Sequence, residues 1–308
     1  VSQVHANLNL DLARESSYVL DVKTTRPQYD SPLRYPGGKS SLSAFLGEAI
    51  AKAEIEGVTY VEPFAGGAGA AITLLLQDRV ERVVINDLDP AVYSFWRAVV
   101  DEGPRFTATL QAVPLTLNEW RAQKQTYASG RAAGGYSFEL GFAFFYLNRT
   151  NRSGVLNAGV IGGQQQSGRY KIDARFNREK LTSRIDSISK LRERITVSSR
   201  DGRAVIEEYA SLPEVFLYVD PPYVQMGGSL YLNSFTEADH TFLAMCLNRN
   251  SSANWVLTYD DTQLIRDLYD ERYQETFSLI YSARNMGVAT ELMVLSDRMR
   301  DSMIAKSL

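Results

Sequence analysis

Apolar residues recur along this chain in two rhythms, and their alternation predicts an α/β protein. Leu42, Phe45, Leu46, Ala49, Ile50 and Ala53 fall three and four apart, the stripe of an amphipathic helix. A β-rich run then starts at Tyr60 and another covers Arg82-Val-Val-Ile-Asn-Asp87. Each is followed by a helical pattern: Ala70 to Leu76 after the first, and a helix carrying Val92, Phe95, Trp96 and Val99 after the second. Asp89 as N-cap and Pro90 at the first helical position mark where that second helix starts. The pattern resumes at Ile195 to Ser198, Val215 to Asp220 and Asn254 to Tyr259. It closes on an antiparallel-looking pair around 277–281 and 291–296. Strand, turn, helix and strand in this order predict a doubly wound, mostly parallel sheet, with ligands at the carboxyl ends of its strands.

Between about 101 and 190 the rhythm fails. Pro104 to Gly135 reads as polar and helical with aromatic spots, and Phe138 to Tyr146 as a dense apolar helix. Gly159 to Gly168, with its three glutamines, reads as a mobile loop. An insertion of this kind between the strands of a sheet domain carries partner-specific contacts. The expected organisation is an N-terminal arm over 1–30, a sheet domain from 31–100 and 191–308, and a helical insert over 101–190. Val224 to Asn233, with Gly227 and Gly228, resembles a flexible lid. Thr236 with Asp239 three residues on is the start signal of the next helix, and His240 on that helix reads as a packing residue.

Composition narrows the classes. With 44% hydrophobic and 22% charged residues in 308, this is ordinary globular chemistry. A single cysteine, Cys246, allows no intramolecular disulfide, and with only two histidines a zinc site of the usual Cys/His kind is not expected. No apolar run approaches membrane-spanning length and the N-terminus lacks a signal pattern, so the expectation is a cytoplasmic protein with no membrane partner. The formal net charge of −3 hides an asymmetry: residues 149–203 carry 13 Lys/Arg against 5 Asp/Glu. A basic segment in an acidic chain suits a face that meets a polyanion, although a solvated helical face has the same composition.

The chemistry concentrates at Val219-Asp220-Pro221-Pro222-Tyr223. Asp220 and Pro221 each precede a proline and are pushed to extended conformations. The prolines contribute no N–H, so the corner offers the Asp220 carboxylate and backbone carbonyls as acceptors, with the Tyr223 ring beside them. Acceptors next to a stacking platform suit a planar group bearing an exocyclic amine, whose nitrogen two acceptors can draw toward tetrahedral geometry. A strand end with a capping Asp and a rim Tyr would look the same in isolation. Three further stretches change that balance. Arg34-Tyr-Pro-Gly-Gly-Lys39 is a glycine-rich turn with a lysine at a helix start, suited to an anion; it is not a P-loop, because Leu33 stands where that spacing needs glycine. Tyr60-Val-Glu-Pro-Phe64-Ala-Gly-Gly-Ala-Gly69 is a strand, glycine turn and helix without the dinucleotide glycine spacing. Asp87 ends the second strand, where a carboxylate accepts both hydroxyls of a ribose. In the insert, Arg149, Asn151, Arg152, Gln164, Gln165 and Arg169 are side chains able to read base edges or hold phosphates.

Taken together, these stretches resemble the Dam-like DNA adenine-N6 methyltransferases, the D12 class or α group. The likeness runs from about Leu33 to Ser296 and follows the family's order: Arg-Tyr-Pro-Gly-Gly-Lys, Glu-Pro-Phe-Ala-Gly-Gly, Asn-Asp, the insert, Asp-Pro-Pro-Tyr and Asn-Ser-Phe. The resemblance implies a Rossmann-like fold with a helical target-recognition insert, S-adenosyl-L-methionine as methyl donor and double-stranded DNA as partner. Carried over by position, Tyr35 and Lys39 would bound the cofactor's methionine end, Glu62, Phe64 and Gly66 would floor it, and Asp87 would hold its ribose. Asp220, Pro221, Pro222 and Tyr223 would form the catalytic motif, with Asp220 also facing the cofactor, and no metal is expected. Leu147-Asn148-Arg149 matches the start of the recognition segment, and Arg149, Asn151, Arg152 and Arg169, by their side-chain chemistry, are the expected nucleic-acid contacts. Two departures stand out: Tyr35 where the family often has tryptophan, and Ala68 where a Phe-x-Gly-x-Gly loop would have glycine.

The expected reaction is transfer of a methyl group to the N6 amine of an adenine extruded from the duplex, by a monomer, within restriction–modification or phage defence and with a cognate nuclease or defence subunit as a possible companion. N4-cytosine or RNA adenine transfer on the same fold, or a non-catalytic DNA-binding subunit, are the alternatives the sequence leaves open.

Overall fold

The computed structural model describes residues 30–34, 39–225, 235–280 and 288–304. Its strands are β1 (Thr59–Glu62), β2 (Arg82–Asn86), β3 (Ile195–Ser198), β4 (Val215–Val219), β5 (Trp255–Asp260), β6 (Tyr273–Ile280) and β7 (Val288–Leu295). They form one sheet in the order β3-β2-β1-β4-β5-β7-β6. The first five are parallel throughout, and β7 runs antiparallel to both β5 and β6. The chain leaves β1 for β2 and β3 on one side, then returns to β4 and β5 on the other. That reversal opens a crevice at the carboxyl ends of β1 and β4, the place where ligands bind in open α/β sheets.

β4 is buried at every position, which explains its continuous Val-Phe-Leu-Tyr-Val run. A central parallel strand is covered on both faces and has no solvent side to alternate with. On one face Tyr60, Phe216, Tyr218, Val256 and Met293 pack with α1 (Ser43–Lys52), α2 (Gly69–Leu76) and α3 (Pro90–Asp101). On the other, Val61, Leu217, Val219, Leu257 and Leu292 pack with helices over Gly202–Tyr209 and Glu237–Arg249. The caps foreseen from sequence are present: the Asp89 side chain accepts from Ala91 N, and Thr236 and Asp239 form a reciprocal capping box.

The segment read as polar and helical from Pro104 to Gly135 is two helices, α4 (Gly103–Ala112) and α5 (Leu117–Ala133). Pro114 separates them, since it offers no N–H and holds Val113 extended, at ψ 129°. Next comes α6 (Phe138–Thr150), buried on all sides except at Glu139 and Arg149, and then α7 (Arg178–Ser189). A helix apolar all round is a central one, and α6 lies at the heart of an aromatic nucleus. Phe145 stacks on Phe95 of α3 at 5.9 Å, and Phe106, Phe142 and Phe176 surround it. Gly141 permits the approach of α6 to α3, because a Cβ there would lie 2.5 Å from the Ser94 carbonyl oxygen. The insert therefore shares one apolar cluster with the first face of the sheet.

The glutamine-rich stretch expected to be mobile is instead bonded around Gln166. Its side-chain amide donates to the carbonyls of Ile161 and Gly163, both at 2.8 Å, and its Oε1 accepts from Ile172 N at 2.9 Å. Most of the expected lid, from residue 226 on, lies outside the described residues.

Candidate active site

Asp220 emerges from β4 beside the reversal in strand order, and its carboxylate is held by groups from three other parts of the chain. Thr258 of β5 donates to Oδ1 at 2.8 Å, and Tyr218 OH pairs with the same threonine hydroxyl at 2.8 Å. Tyr223 OH also donates to Oδ1, at 3.1 Å. Lys39, at the start of the turn Lys39–Leu42 that leads into α1, reaches Oδ2 at 3.1 Å and the Tyr223 hydroxyl at 2.8 Å. Lys39 is only 4% exposed, so its ammonium has given up water and depends on these oxygens. Glu291 of β7 adds a second carboxylate 3.6 Å from the same nitrogen and is 2% exposed. Burial pushes Glu291 up to about 7, and the Asp220 charge adds to the rise while Lys39 and a hydrogen bond with Tyr223 oppose it.

Sequence reasoning identified Lys39, Asp220 and Tyr223 but missed Tyr218, Thr258 and Glu291. The available signal was a polar residue inside an apolar strand: Thr258 in Trp-Val-Leu-Thr-Tyr and Glu291 before Leu-Met-Val-Leu. Tyr223 sits otherwise than expected. Its ring is 7% exposed and packs against Tyr259 at 6.0 Å, so it presents no open aromatic face in this structure. His240 is a packing residue, buried and paired through Nδ1 with Tyr259 OH at 2.7 Å.

The turn after β1 is braced from below. Glu62 is buried and accepts from Tyr60 OH at 3.1 Å and from Ala71 N of α2 at 3.0 Å. Burial nevertheless pushes its carboxyl up to about 8, because two hydrogen bonds do not replace the lost water. Asp87 accepts from Gly66 N at 2.8 Å and from Asp89 N at 2.9 Å, which joins the loops after β1 and β2; burial lifts it to about 6. Each of its oxygens keeps a lone pair for a further donor. Phe64 stands edge-on to Phe235 at 5.6 Å. Gly202 lets it lie close, since a Cβ there would come within 2.4 Å of the ring. Gly66 has φ +47°, and Ala68 has φ +43° where the resemblance led to an expectation of glycine. The loop thus keeps a left-handed turn there, at a cost of roughly 1–2 kcal/mol for a residue with a Cβ. Tyr35 lies outside the described residues.

The candidate nucleic-acid residues fall into two groups. Arg152 and Arg169 are exposed. Arg149 turns inward, donating to the Arg175 carbonyl at 2.5 and 2.8 Å and to the Pro32 carbonyl at 3.4 Å. Burial and the nearby Arg34, Arg184 and Arg175 charges lower its proton affinity. Asn151 is fully buried: it accepts from Trp120 Nε1 at 2.7 Å and donates to the carbonyls of Val155 and Leu156. Asn148, which the sequence offered only as a motif letter, clips the insert to the N-terminal motif. Its Oδ1 accepts from Arg34 N at 2.8 Å, and its Nδ2 donates to the carbonyls of Arg34 and Gly154.

A seven-stranded sheet in this order, with a carboxylate on a Pro-Pro corner at its strand-order reversal, is a Rossmann-like fold with a polar site at the carboxyl ends of its strands. The sequence pattern of the D12 class N6 adenine-specific DNA methyltransferases matches residues 35–287, and the chain belongs to that family. Relatives include the type II methyltransferase M.MjaIII of Methanocaldococcus jannaschii, 26% identical over 67% of this chain and 73% of that protein. M.CviBI of Paramecium bursaria Chlorella virus NC1A is 24% identical over 69% of this chain and 76% of its own length. The retron Ec67 DNA adenine methylase of Escherichia coli is 24% identical, covering 86% of this chain and 90% of that one. This chain is a site-specific DNA adenine methyltransferase.

Proposed function

We propose that the enzyme takes S-adenosylmethionine as donor, binds it over the carboxyl ends of β1, β2 and β4, and acts on an adenine turned out of the duplex. The observation that carries this is the Asp220 carboxylate, fixed by Lys39, Thr258 and Tyr223 beside a turn that Glu62 and Asp87 brace. The donor set suits the group: Asp87 has lone pairs left for a ribose diol, and the half-buried Phe64 offers an apolar wall. Bound there, S-adenosylmethionine supplies a methyl group on a positively charged sulfur.

The residues of this chain supply position and acceptors. Asp220 and the Pro221 carbonyl draw the two N6 hydrogens, so the nitrogen lone pair turns out of the ring plane. Asp220 would take up the N6 proton that methylation of the amine releases. Pro222 keeps the corner extended and free of a competing N–H. Tyr223 stacks on the extruded base, which requires its ring to turn away from Tyr259 while its hydroxyl stays with the two acids; that contact offsets roughly 1–3 kcal/mol of the unstacking cost. Lys39, together with Tyr35 as the resemblance implies, bounds the methionine end of the donor.

Residues 31–100 and 191–308 form the catalytic domain in this reading, 101–190 the target-recognition insert and 1–30 an arm. Arg152 and Arg169 contact DNA directly, whereas Arg149 and Asn151 hold the recognition segment in shape. The enzyme works as a monomer in the cytoplasm, and a cognate nuclease would complete a restriction–modification pair. The deciding experiment incubates the protein with methyl-labelled S-adenosylmethionine and unmethylated duplex DNA and separates the nucleosides. Label in N6-methyladenine is the expected result; label in cytosine, or cofactor binding without transfer, would overturn it.

A further inference from the structure

Glu291 is a buried carboxylate that the reaction as described does not use. β7 carries it to the carboxyl end of β5, where its Cα is paired with that of Asp260. Lys39 lies between it and Asp220, 3.6 Å from the Glu291 carboxylate and 3.1 Å from that of Asp220. The Tyr223 hydroxyl has one proton to give and both carboxylates within reach. One ammonium and one phenol proton are therefore divided between two acids.

We propose that Glu291 is a positioning residue for methyl transfer, which sets how much of the Lys39 ammonium and of the Tyr223 proton is left on Asp220 and so how strongly Asp220 draws the N6 hydrogens. The assignment rests on the function proposed above. With Glu291 ionised, Lys39 is shared and Asp220 keeps more of its negative charge for the amine. With Glu291 protonated, Lys39 and Tyr223 settle on Asp220 and blunt it. Among the described residues, the groups facing Glu291 include Lys39 from the segment before α1, Tyr218 from β4, Asp220 and Tyr223 from the corner, and Asp260 opposite it on β5. Among them, Lys39 and the Tyr223 hydrogen bond favour the ionised form and the Asp220 charge opposes it. Burial places the balance near neutrality, within the working range of an enzyme.

The test is the single-turnover rate of methyl transfer from pH 5.5 to 8.5, with DNA and cofactor saturating. Wild type is expected to show a rising limb centred near neutral pH. Glu291→Gln is expected to lose that limb and to be about tenfold slower at pH 8, with the affinities for DNA and cofactor within about twofold of wild type. Glu291→Asp should restore a limb at shifted pH. A flat wild-type profile, or a Glu291→Gln enzyme that keeps the wild-type limb, would overturn the assignment, and the wild-type profile decides even where the glutamine variant fails to fold. A wild type that moves no methyl group to adenine overturns the functional reading itself, and this assignment with it.

Discussion

The corner after β4 and the segment after α6 handle charge in opposite ways. At the corner the buried Lys39 and Glu291 lie close to Asp220, whose side chain is only 16% exposed, and each depends on the others. Between 149 and 175 the arginines form no ion pair with an acid among the described residues. Arg149 spends its guanidinium on backbone carbonyls, and Arg152 and Arg169 stand in solvent. A buried ion cluster costs desolvation and in return has one geometry, which suits chemistry on a single nitrogen. Exposed cations hold no geometry by themselves and act additively on a polyanion, which suits a long phosphate backbone. The lesson is that 13 cations in a basic segment are not 13 contacts. Arg178 serves the carbonyls of Leu110 and Val113, and Arg194 serves those of Val80 and Glu81.

The sharpest way to break this contrast is to remove its central acid. Asp220→Ala is expected to lower single-turnover methyl transfer by at least about 10²–10³-fold while DNA affinity stays near that of wild type. Substantial residual turnover would mean that the corner is structural only. Lys39→Met keeps bulk but takes the ammonium from between the buried Glu291 and the largely buried Asp220 carboxylates. Chemical denaturation should then show a loss of about 3–5 kcal/mol, and an unchanged midpoint would refute mutual dependence at the corner.

Acidity offers a subtler measure. Glu62 sits at about 8 in the folded protein and near its ordinary 4.5 when unfolded, so between those values the folded state holds the extra proton. Its contribution to stability is complete below about pH 4.5 and is lost as pH rises toward 8. Glu62→Gln should remove that decline, a change of order a few kcal/mol at pH 8. Melting curves that depend on pH identically in both proteins would count against a buried, poorly compensated carboxylate.

The smallest effects belong to the insert, where two neighbours should part company. Asn151→Ala strands Trp120 Nε1 and two carbonyls and should cost about 1–3 kcal/mol of stability. Arg152→Ala should move stability by less than about 0.5 kcal/mol and reduce the salt slope of DNA binding by about one. Equal stability losses at the two positions would erase the distinction between scaffold and contact.

Much of this was legible along the chain because it is local. The helix stripe from Leu42 to Ala53, the Asp89 cap, the buried run of β4 and the Pro-Pro corner each depend on near neighbours, where backbone sterics and side-chain periodicity act directly. The insert was harder, since Asn151 looks as able to reach a base in the sequence as Arg152 does. Only the distant Trp120 turns it inward.

The sequence by itself determined the alternating α/β architecture, the family and the acid at the end of the central strand, because periodicity, turn chemistry and motif order are properties of the chain read in line. The tertiary structure alone decided what that acid touches. Lys39 and Thr258, 181 and 38 residues from Asp220, contact it, and Glu291, 71 residues away, joins it through Lys39, because the ends of β4 and β5 and the start of antiparallel β7 lie at one edge of the sheet. The same packing decided which arginines face carbonyls and which face water, since burial is set by what folds over a side chain and not by its neighbours in sequence.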